Sequence, residues 1–237
     1  MVTNMTNTTA SSVPAEPVPP ATQLVLLPFL AAVEGALREA SAPEKAFRVT
    51  LHRLLWRHDK GYLQQACDYV GTHRKLGGVG RIFPADEALM GATFRERRVF
   101  RTKRYDDDQA FLAALARDME ATGDRRSVDD VGKSYLTVPF LASDEPVLIL
   151  YGESDQVNFF ADDRVVRNVV AMCQGLTRLL DGLEERAVPM IRNFPPPRRP
   201  DLSGGGSGRY PTIHEALDLP PPRFDKVSAV HYDVASR

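Results

Sequence analysis

The uneven distribution of proline limits where this chain can build a packed core. Four of the 18 prolines lie in residues 1–20, and nine lie in residues 188–237. Proline lacks a backbone N–H and interrupts helices and sheet ladders, so both ends are poor material for regular structure. We therefore predict one folded domain over residues 21–187, between a disordered N-terminal segment (1–20) and a disordered Pro/Gly-rich tail (188–237).

The composition is that of an ordinary globular domain. Hydrophobic residues make up 43% of the chain, charged residues 26%, and the net charge is −1. So small a net charge gives no overall field toward nucleic acid or a lipid surface, and no apolar run reaches the roughly 20 residues of a membrane span. We expect a cytoplasmic location, with neither a nucleic-acid partner nor a membrane.

Cysteine and histidine give no sign of a metal site or a disulfide framework. Cys67 and Cys173 are far apart and sit in apolar patterns, which predicts two buried thiols in a reducing compartment. The five histidines show no zinc-type spacing, so we expect no metal, and the sequence assigns no cofactor. His52 alternates with apolar residues and is predicted to face solvent on a strand.

Apolar periodicity predicts helices and strands in alternating groups. Helices are expected over residues 21–40, 86–94, 106–122 and 162–185. Strands are expected over residues 46–56, 61–70, 99–105, 134–140 and 146–151, with two hairpins among them. This order predicts an α+β fold with a central antiparallel sheet and helices gathered mainly on one face, the N- and C-terminal helices among them.

Three stretches resemble the GAF domain family. The first is Gly80–Phe83 leading into Leu89–Phe94, similar to the family's turn of small residues before a short helix. The second is Ser134–Phe140, similar to a strand with a hydrophobic-Pro-hydrophobic step. The third runs from the strand Val147–Ser154 to the Phe159-to-Asp163 entry of the last helix. The resemblance spans roughly residues 22–186.

The resemblance implies a GAF-like fold whose ligand pocket, where one exists, lies on the sheet face away from the terminal helices. The positions that map to its lining are Arg81, Phe83, Leu89, Phe94, Arg95, Tyr135 and Thr137, with the two arginines as polar contacts. Ordinary core or rim packing also explains each of them. The cysteine and histidine pair of bilin carriers and the full signature of cyclic-nucleotide binders are missing.

The resemblance implies a non-catalytic sensory or regulatory module that binds a small ligand or a protein partner and signals by association. We therefore expect that the chain is not an enzyme. The alternative is a small-molecule-binding enzyme of the GAF-fold redox type, which would need closely placed reactive cysteines. The sequence names neither the ligand nor the partner.

Association with other chains is expected at two places. The apolar stripes of the two terminal helices exceed what one sheet face can cover, which predicts a homodimer through Val165, Leu176, Leu179 and Leu183. Two segments of the tail, residues 210–217 and 224–232, carry apolar groups in polar, Pro-rich surroundings and are read either as partner-docking segments or as plain linker.

A basic run between Arg95 and Arg104 is the strongest local charge feature. It holds six cations in ten positions, relieved only by Glu96. Two interpretations stay open: a grip on a phosphate-bearing ligand or acidic partner, and the solvent face of an edge strand that positive charge protects from unwanted pairing.

Overall fold

The computed structural model describes residues 20–40, 46–57, 60–71, 79–85, 88–123, 132–182 and 212–226. Within them lie four α-helices: α1 (Pro20–Glu39), α2 (Ala88–Glu96), α3 (Asp108–Thr122) and α4 (Asp163–Gly182). The strands are β1 (Phe47–Arg57), β2 (Lys60–Gln65), β3 (Val70–Gly71), β4 (Ile82–Pro84), β5 (Phe100–Thr102), β6 (Ser134–Ala142), β7 (Glu145–Ser154), β8 (His214–Ala216) and β9 (Arg223–Phe224).

The strands form one sheet in the order β4-β2-β1-β7-β6-β5-β8. Neighbours along this path are antiparallel, β3 pairs with β1, and β9 runs parallel to β6. Both predicted hairpins are present, β1 with β2 and β6 with β7. The predicted α+β fold with a central antiparallel sheet is therefore confirmed.

The two terminal helices pack on one face of the sheet, as predicted. The stripe of α1 that includes Leu30, Val33 and Leu37 is buried in the same core as Val166 and Cys173 of α4. The sheet supplies alternate apolar residues of β1, β6 and β7 to this core, which is the period-two pattern of a strand with one apolar face.

The other two helices cover the opposite face, which corrects the expectation that the helices gather mainly on one side. Leu89 of α2 packs in a second cluster with Phe111, Leu115 and Met119 of α3. The sheet is consequently sandwiched between two helical layers, and β6 is buried along its whole length. The polar residues that alternate along the central strands therefore lie inside the protein.

Local sequence signals fix the ends of α3. Asp107 is in an extended conformation, and its carboxylate accepts a hydrogen bond from the Ala110 N–H, as an N-cap does. Gly123 ends the helix in the left-handed conformation that glycine adopts most readily. These boundaries agree with the helix predicted from the acidic triplet and Gly123.

Part of the predicted tail belongs to the sheet. Residues 212–226 contain β8, which pairs with β5, and β9, which pairs with β6. Ile213 and Phe224 are buried, so the prediction of a wholly disordered segment over 188–237 is wrong for this part. Residues 1–19 and 183–211 lie outside the described residues.

Among the described residues, no helix is long and apolar enough to cross a bilayer.

Candidate functional site

The second helical layer covers a set of polar residues on the central strands, here called the polar face. In register across β1, β7 and β6, Arg48 lies opposite Glu153, and Glu153 lies opposite Tyr135. One step along, Thr50, Tyr151 and Thr137 follow the same order, and His52 comes next on β1. The polar face therefore consists of Arg48, Thr50, His52, Tyr135, Thr137, Tyr151 and Glu153.

A buried ion pair lies at one end of the polar face. Arg48 Nη2 donates to Glu153 Oε2 at 2.6 Å, and Arg48 Nε donates to the same oxygen at 3.2 Å. The Tyr151 hydroxyl donates to that oxygen as well, at 2.9 Å. The guanidinium carbon of Arg48 also lies 4.1 Å from the ring centroid of Tyr69, a cation–π contact. Four side chains thus form one network.

Burial makes this network expensive. Arg48 and Glu153 are only 4% and 5% exposed. The free energy needed to take both charges out of water is larger than the free energy that an exposed ion pair contributes to stability. Burial alone would lower the pKa of Arg48, but the adjacent Glu153 carboxylate outweighs it and the pKa is raised. Burial, and then Glu153, raises the pKa of Tyr151 well above its ordinary value. The arginine stays charged and the phenol keeps its proton at neutral pH.

His52 lies further along β1 and is fully covered. Burial, helped by the positive charge of Arg81, lowers its pKa to about 3, so the imidazole is neutral. Its ring stands edge-on to Tyr151, with centroids 6.1 Å apart. The prediction that His52 faces solvent is wrong, because its side chain is only 1% exposed on the face of the sheet away from the terminal helices.

Helix α2 is attached to the polar face by a hydroxyl pair. Thr93 of α2 and Thr137 of β6 are both buried, and their Oγ1 atoms are 2.5 Å apart. Thr93 Oγ1 donates to the Leu89 carbonyl at 3.1 Å, which leaves Thr137 as the donor of the shared hydrogen bond. The pair fixes the position of α2 over the strands.

The C-terminal segment closes the other end of the polar face. The His214 ring of β8 stands edge-on to Tyr135, with centroids 5.6 Å apart. Burial lowers the pKa of His214 to about 4, so it is also neutral. Its Nδ1 atom is buried and has no hydrogen-bond partner among the described residues.

The predicted pocket residues are only partly brought together. Tyr135 and Thr137 belong to the polar face, and Leu89 packs over it from α2. Arg81 is exposed, close enough to act electrostatically on His52 and Tyr69.

The remaining predicted positions lie around the edge of the polar face, and Ile149, against which Phe94 packs, is opposite His52. Phe94 is half-buried beside Leu63 and Ile149, and Arg95 is exposed in the last turn of α2. Phe83 lies in β4, opposite Leu63. The charge of Arg81 therefore reaches the polar face at His52.

Sequence reasoning missed the charged core of the site. Arg48 lies on the predicted strand 46–56, whose polar alternation predicts a half-buried strand. Glu153 lies beyond the predicted strand 146–151, in the stretch Val147–Ser154 that resembles the family. The sequence did contain a usable signal, because the four predicted helices carry more apolar surface than one face of the sheet can cover. The second face had therefore to be buried too.

The predicted dimer residues also have different positions. Val165 and Leu176 are buried in this chain's own core, at 9% and 3% exposure. Leu179 is 55% exposed on α4. Leu183 lies outside the described residues. Of the four, Leu179 is the one for which the described structure shows apolar surface open to a partner.

Both cysteines are buried, as predicted, and neither is paired. Burial, followed by the negative charge of Asp68, raises the pKa of Cys67 to about 12, and burial raises the pKa of Cys173 further. Among the described residues no cluster of His, Cys, Asp and Glu has the geometry to hold a metal ion.

Comparison with known proteins found likeness at the level of three-dimensional structure. No family model matches the chain, and no curated protein matches its sequence. A solved type II free methionine-R-sulfoxide reductase from Thermoplasma acidophilum is similar at 16% identity, with a TM-score of 0.39, over 73% of this chain and 95% of that one.

Two regulatory structures are similar as well. One is the GAF domain of a two-component sensor histidine kinase from Bacillus halodurans, at 18% identity, a TM-score of 0.33, and coverage of 55% of this chain and 77% of that one. The other is an IclR-type transcriptional regulator from Alicyclobacillus acidocaldarius, at 18% identity, a TM-score of 0.33, and coverage of 72% and 69%. The structures that the chain is similar to include a GAF domain, the family that the sequence resembles.

The same comparison corrects one prediction. The sequence analysis expected that the chain is not an enzyme, whereas a structural neighbour is itself a reductase. That expectation is therefore not retained.

Proposed function

We propose that this chain is a GAF-like regulatory module that binds a small anionic molecule at the polar face. The observation that carries the proposal is the buried network of Arg48, Glu153 and Tyr151. Charges and perturbed pKa values inside a protein are costly, and they concentrate at functional sites more than in ordinary cores.

The charge distribution around the network favours an anion. Arg81 is exposed, and its charge acts on His52 and Tyr69; burial first, and Arg81 second, lower the pKa of His52. Burial raises the pKa of Tyr69, so this phenol, like that of Tyr151, is an O–H donor at neutral pH. The one carboxylate on the polar face, Glu153, already accepts hydrogen bonds from Arg48 and Tyr151. A small carboxylate or phosphate would therefore meet donors and positive charge.

Helix α2 would carry the signal outward. It rests on the polar face through Thr93 and Thr137, and its last turn leads directly to β5. A ligand beneath α2 would change the packing of that helix and so the surface offered to a partner. Signalling through a partner, in the cytoplasm, is part of this proposal.

Thermal-shift screening with small carboxylates and phosphates would test the site. A ligand that binds here should raise the melting temperature of the wild-type protein, and Arg81→Ala should weaken binding at least tenfold through loss of a charge-assisted contact. Arg95→Ala is the matched control, since it removes the same charge from an exposed position of α2. Equal effects of the two variants, or none, would exclude Arg81 as the contact.

The identity of a natural ligand can be sought separately. Native mass spectrometry of the protein purified from its own host would show a retained molecule as added mass. Loss of that mass in Arg81→Ala but not in Arg95→Ala would support the polar face as its site.

A further inference from the structure

Strand β5 would be an edge of the sheet if the C-terminal segment did not cover it. β8 pairs with it antiparallel, with Phe100 opposite Ala216 and Thr102 opposite His214. Two further backbone hydrogen bonds extend the ladder, from the Leu217 N–H to the Val99 carbonyl and from the Lys103 N–H to the Ile213 carbonyl, each 2.8 Å.

The basic run holds this segment in place. Arg101 Nε donates to Glu215 Oε1 at 2.8 Å. Lys103 Nζ donates to the Thr212 carbonyl at 2.8 Å, and Arg98 Nη2 donates to the Leu217 carbonyl at 3.2 Å. Arg101 also pairs with Asp163 of α4 at 2.6 Å, so it ties the segment to the body of the domain. Of the three cations, Arg101 meets an acidic group of the segment, while Lys103 and Arg98 bind its backbone carbonyls.

A carboxylate on α3 fixes the start of the segment. Asp118 is 3% exposed. It accepts from the Thr212 N–H at 2.9 Å, the Thr212 hydroxyl at 2.7 Å and the Ile213 N–H at 3.3 Å. Both of its oxygens are used, so the site recognises a hydroxyl-bearing residue followed by an extended backbone.

One apolar side chain anchors the segment beside β5. Ile213 is fully buried in the cluster that contains Phe111, Leu115 and Met119. By contrast, Glu215, Ala216 and Leu217 are only half-buried. The other contacts of the segment are backbone hydrogen bonds, the Arg101–Glu215 ion pair, the ring contact of His214 with Tyr135, and the packing of the half-buried Ala216 and Leu217 against the two cores. Backbone pairing with one fully buried side chain and several partly buried ones is also how a peptide adds to a sheet edge.

We propose that the open side of β5, with Arg98, Arg101, Lys103 and Asp118, is a docking site for an extended acidic segment of a partner protein. Residues 212–217 occupy the site as an intramolecular competitor. The partner segment would add a strand antiparallel to β5, with a hydroxyl-bearing residue, then an apolar residue, and an acidic residue two positions later. That pattern is Thr212, Ile213 and Glu215 in this chain.

If a partner strand replaced residues 212–217, the surroundings of the polar face would change as well. The Tyr135 N–H donates to Thr102 Oγ1 at 2.9 Å, and the His214 ring contacts Tyr135. A partner strand with another residue in place of His214 would therefore alter the surroundings of Tyr135. The docking site itself requires no ligand at the polar face.

The test uses the full chain with a protease site inserted in the Gly-rich stretch 203–208, cleaved after folding. The released fragment should stay bound at micromolar concentration in size-exclusion chromatography. A fluorescent peptide of residues 209–226 should then exchange into the cleaved protein, seen as a rise in anisotropy. An unlabelled peptide with the same pattern but other intervening residues should compete, whereas a scrambled peptide should not.

Variants decide which contacts matter. Asp118→Asn in the protein, or Glu215→Gln in the peptide, should weaken the exchange at least tenfold. Asp218→Asn is the matched control, since Asp218 is exposed on the same segment, and it should change binding less than twofold. A fragment that exchanges only when the whole protein unfolds would overturn the proposal, as would equal binding of the scrambled peptide.

Discussion

Arg48 and Glu153 lie directly opposite each other on β1 and β7 and form a buried ion pair whose nearest atoms are 2.6 Å apart. Tyr151 donates to the same carboxylate oxygen. Arg48 and Tyr151 share this one acceptor, so removing the Glu153 carboxylate leaves both a buried charge and a buried phenol without it.

The first prediction concerns this shared acceptor. Glu153→Ala should lower the free energy of unfolding by about 3 to 5 kcal/mol, because it leaves the arginine charge buried without its counter-ion. The double variant Arg48→Met/Glu153→Leu should be more stable than Glu153→Ala, since it leaves no buried charge. Urea denaturation of the three proteins measures both differences. A single variant as stable as the double one would contradict the account.

The second prediction concerns the C-terminal segment. Ending the chain after Ala187 removes Ile213 and Phe224, whose burial stabilises by roughly 1.5 to 3 kcal/mol each. The melting temperature should fall by roughly 10 °C while unfolding stays cooperative. Ending the chain after Lys226 is the control and should leave it nearly unchanged. Calorimetry would contradict the packing of this segment if both truncations behaved alike.

The sequence was sufficient for the parts of the fold that depend on local signals. The caps of α3 at Asp107 and Gly123, and the stripe of α4 that includes Val166 and Cys173, follow from residue type and spacing alone. The strands β8 and β9 could not be found in this way. They are two to three residues long, and they are stable only because β5, β6 and two carboxylates on distant helices receive them.

The candidate site was predictable only at its edges. Tyr135 and Thr137 were found because they lie in a stretch that resembles a family. Arg48 and Glu153 are more than 100 residues apart in the chain, and their pairing depends on the register of β1 with β7. An arginine on a strand has the same local pattern in solvent as in a buried pair, so no local signal separates the two.

The third prediction concerns pH. His52 has an ordinary pKa of 6.5 and a pKa of about 3 in the folded protein because of burial. Between these values the unfolded chain binds a proton that the folded chain does not, so stability falls as pH is lowered, by up to about 1.4 kcal/mol per pH unit. Above pH 6.5 this contribution is constant.

Denaturation at pH 7.5, 6 and 5 would measure that slope. His52→Gln should reduce the dependence of the free energy of unfolding on pH. His214→Gln should remove the contribution of His214 to that dependence, which extends down to about pH 4, where the buried His214 titrates. Identical slopes in the wild-type protein and both variants would show that neither histidine is buried in its neutral form.

The fourth prediction contrasts two glycines. Gly71 has φ of +126°, and a Cβ there would lie 2.2 Å from the Phe47 carbonyl oxygen, which is backbone and cannot move aside. Gly71→Ala should therefore destabilise the protein by more than about 1 kcal/mol. Gly175 lies within α4 with nothing within 4 Å of such a Cβ, so Gly175→Ala should stabilise it by roughly 0.5 to 1 kcal/mol. Thermal denaturation would contradict this if both shifts had the same sign.

The last prediction concerns association through the terminal helices. Leu24 and Leu179 are the large apolar side chains most exposed among the described residues, at 73% and 55%, and they lie on α1 and α4, which pack together. A homodimer across these helices would bury on the order of 1,200 to 2,000 Å². Leu179→Glu should shift it to monomer in sedimentation at micromolar concentration, because the interface would then bury an unpaired charge. The melting temperature of the monomer should hardly change, since Leu179 is outside the core.

Gln174→Glu is the control, because it adds the same charge on a different side of α4 and should leave the dimer intact. Dissociation by both variants, or by neither, would place the interface elsewhere.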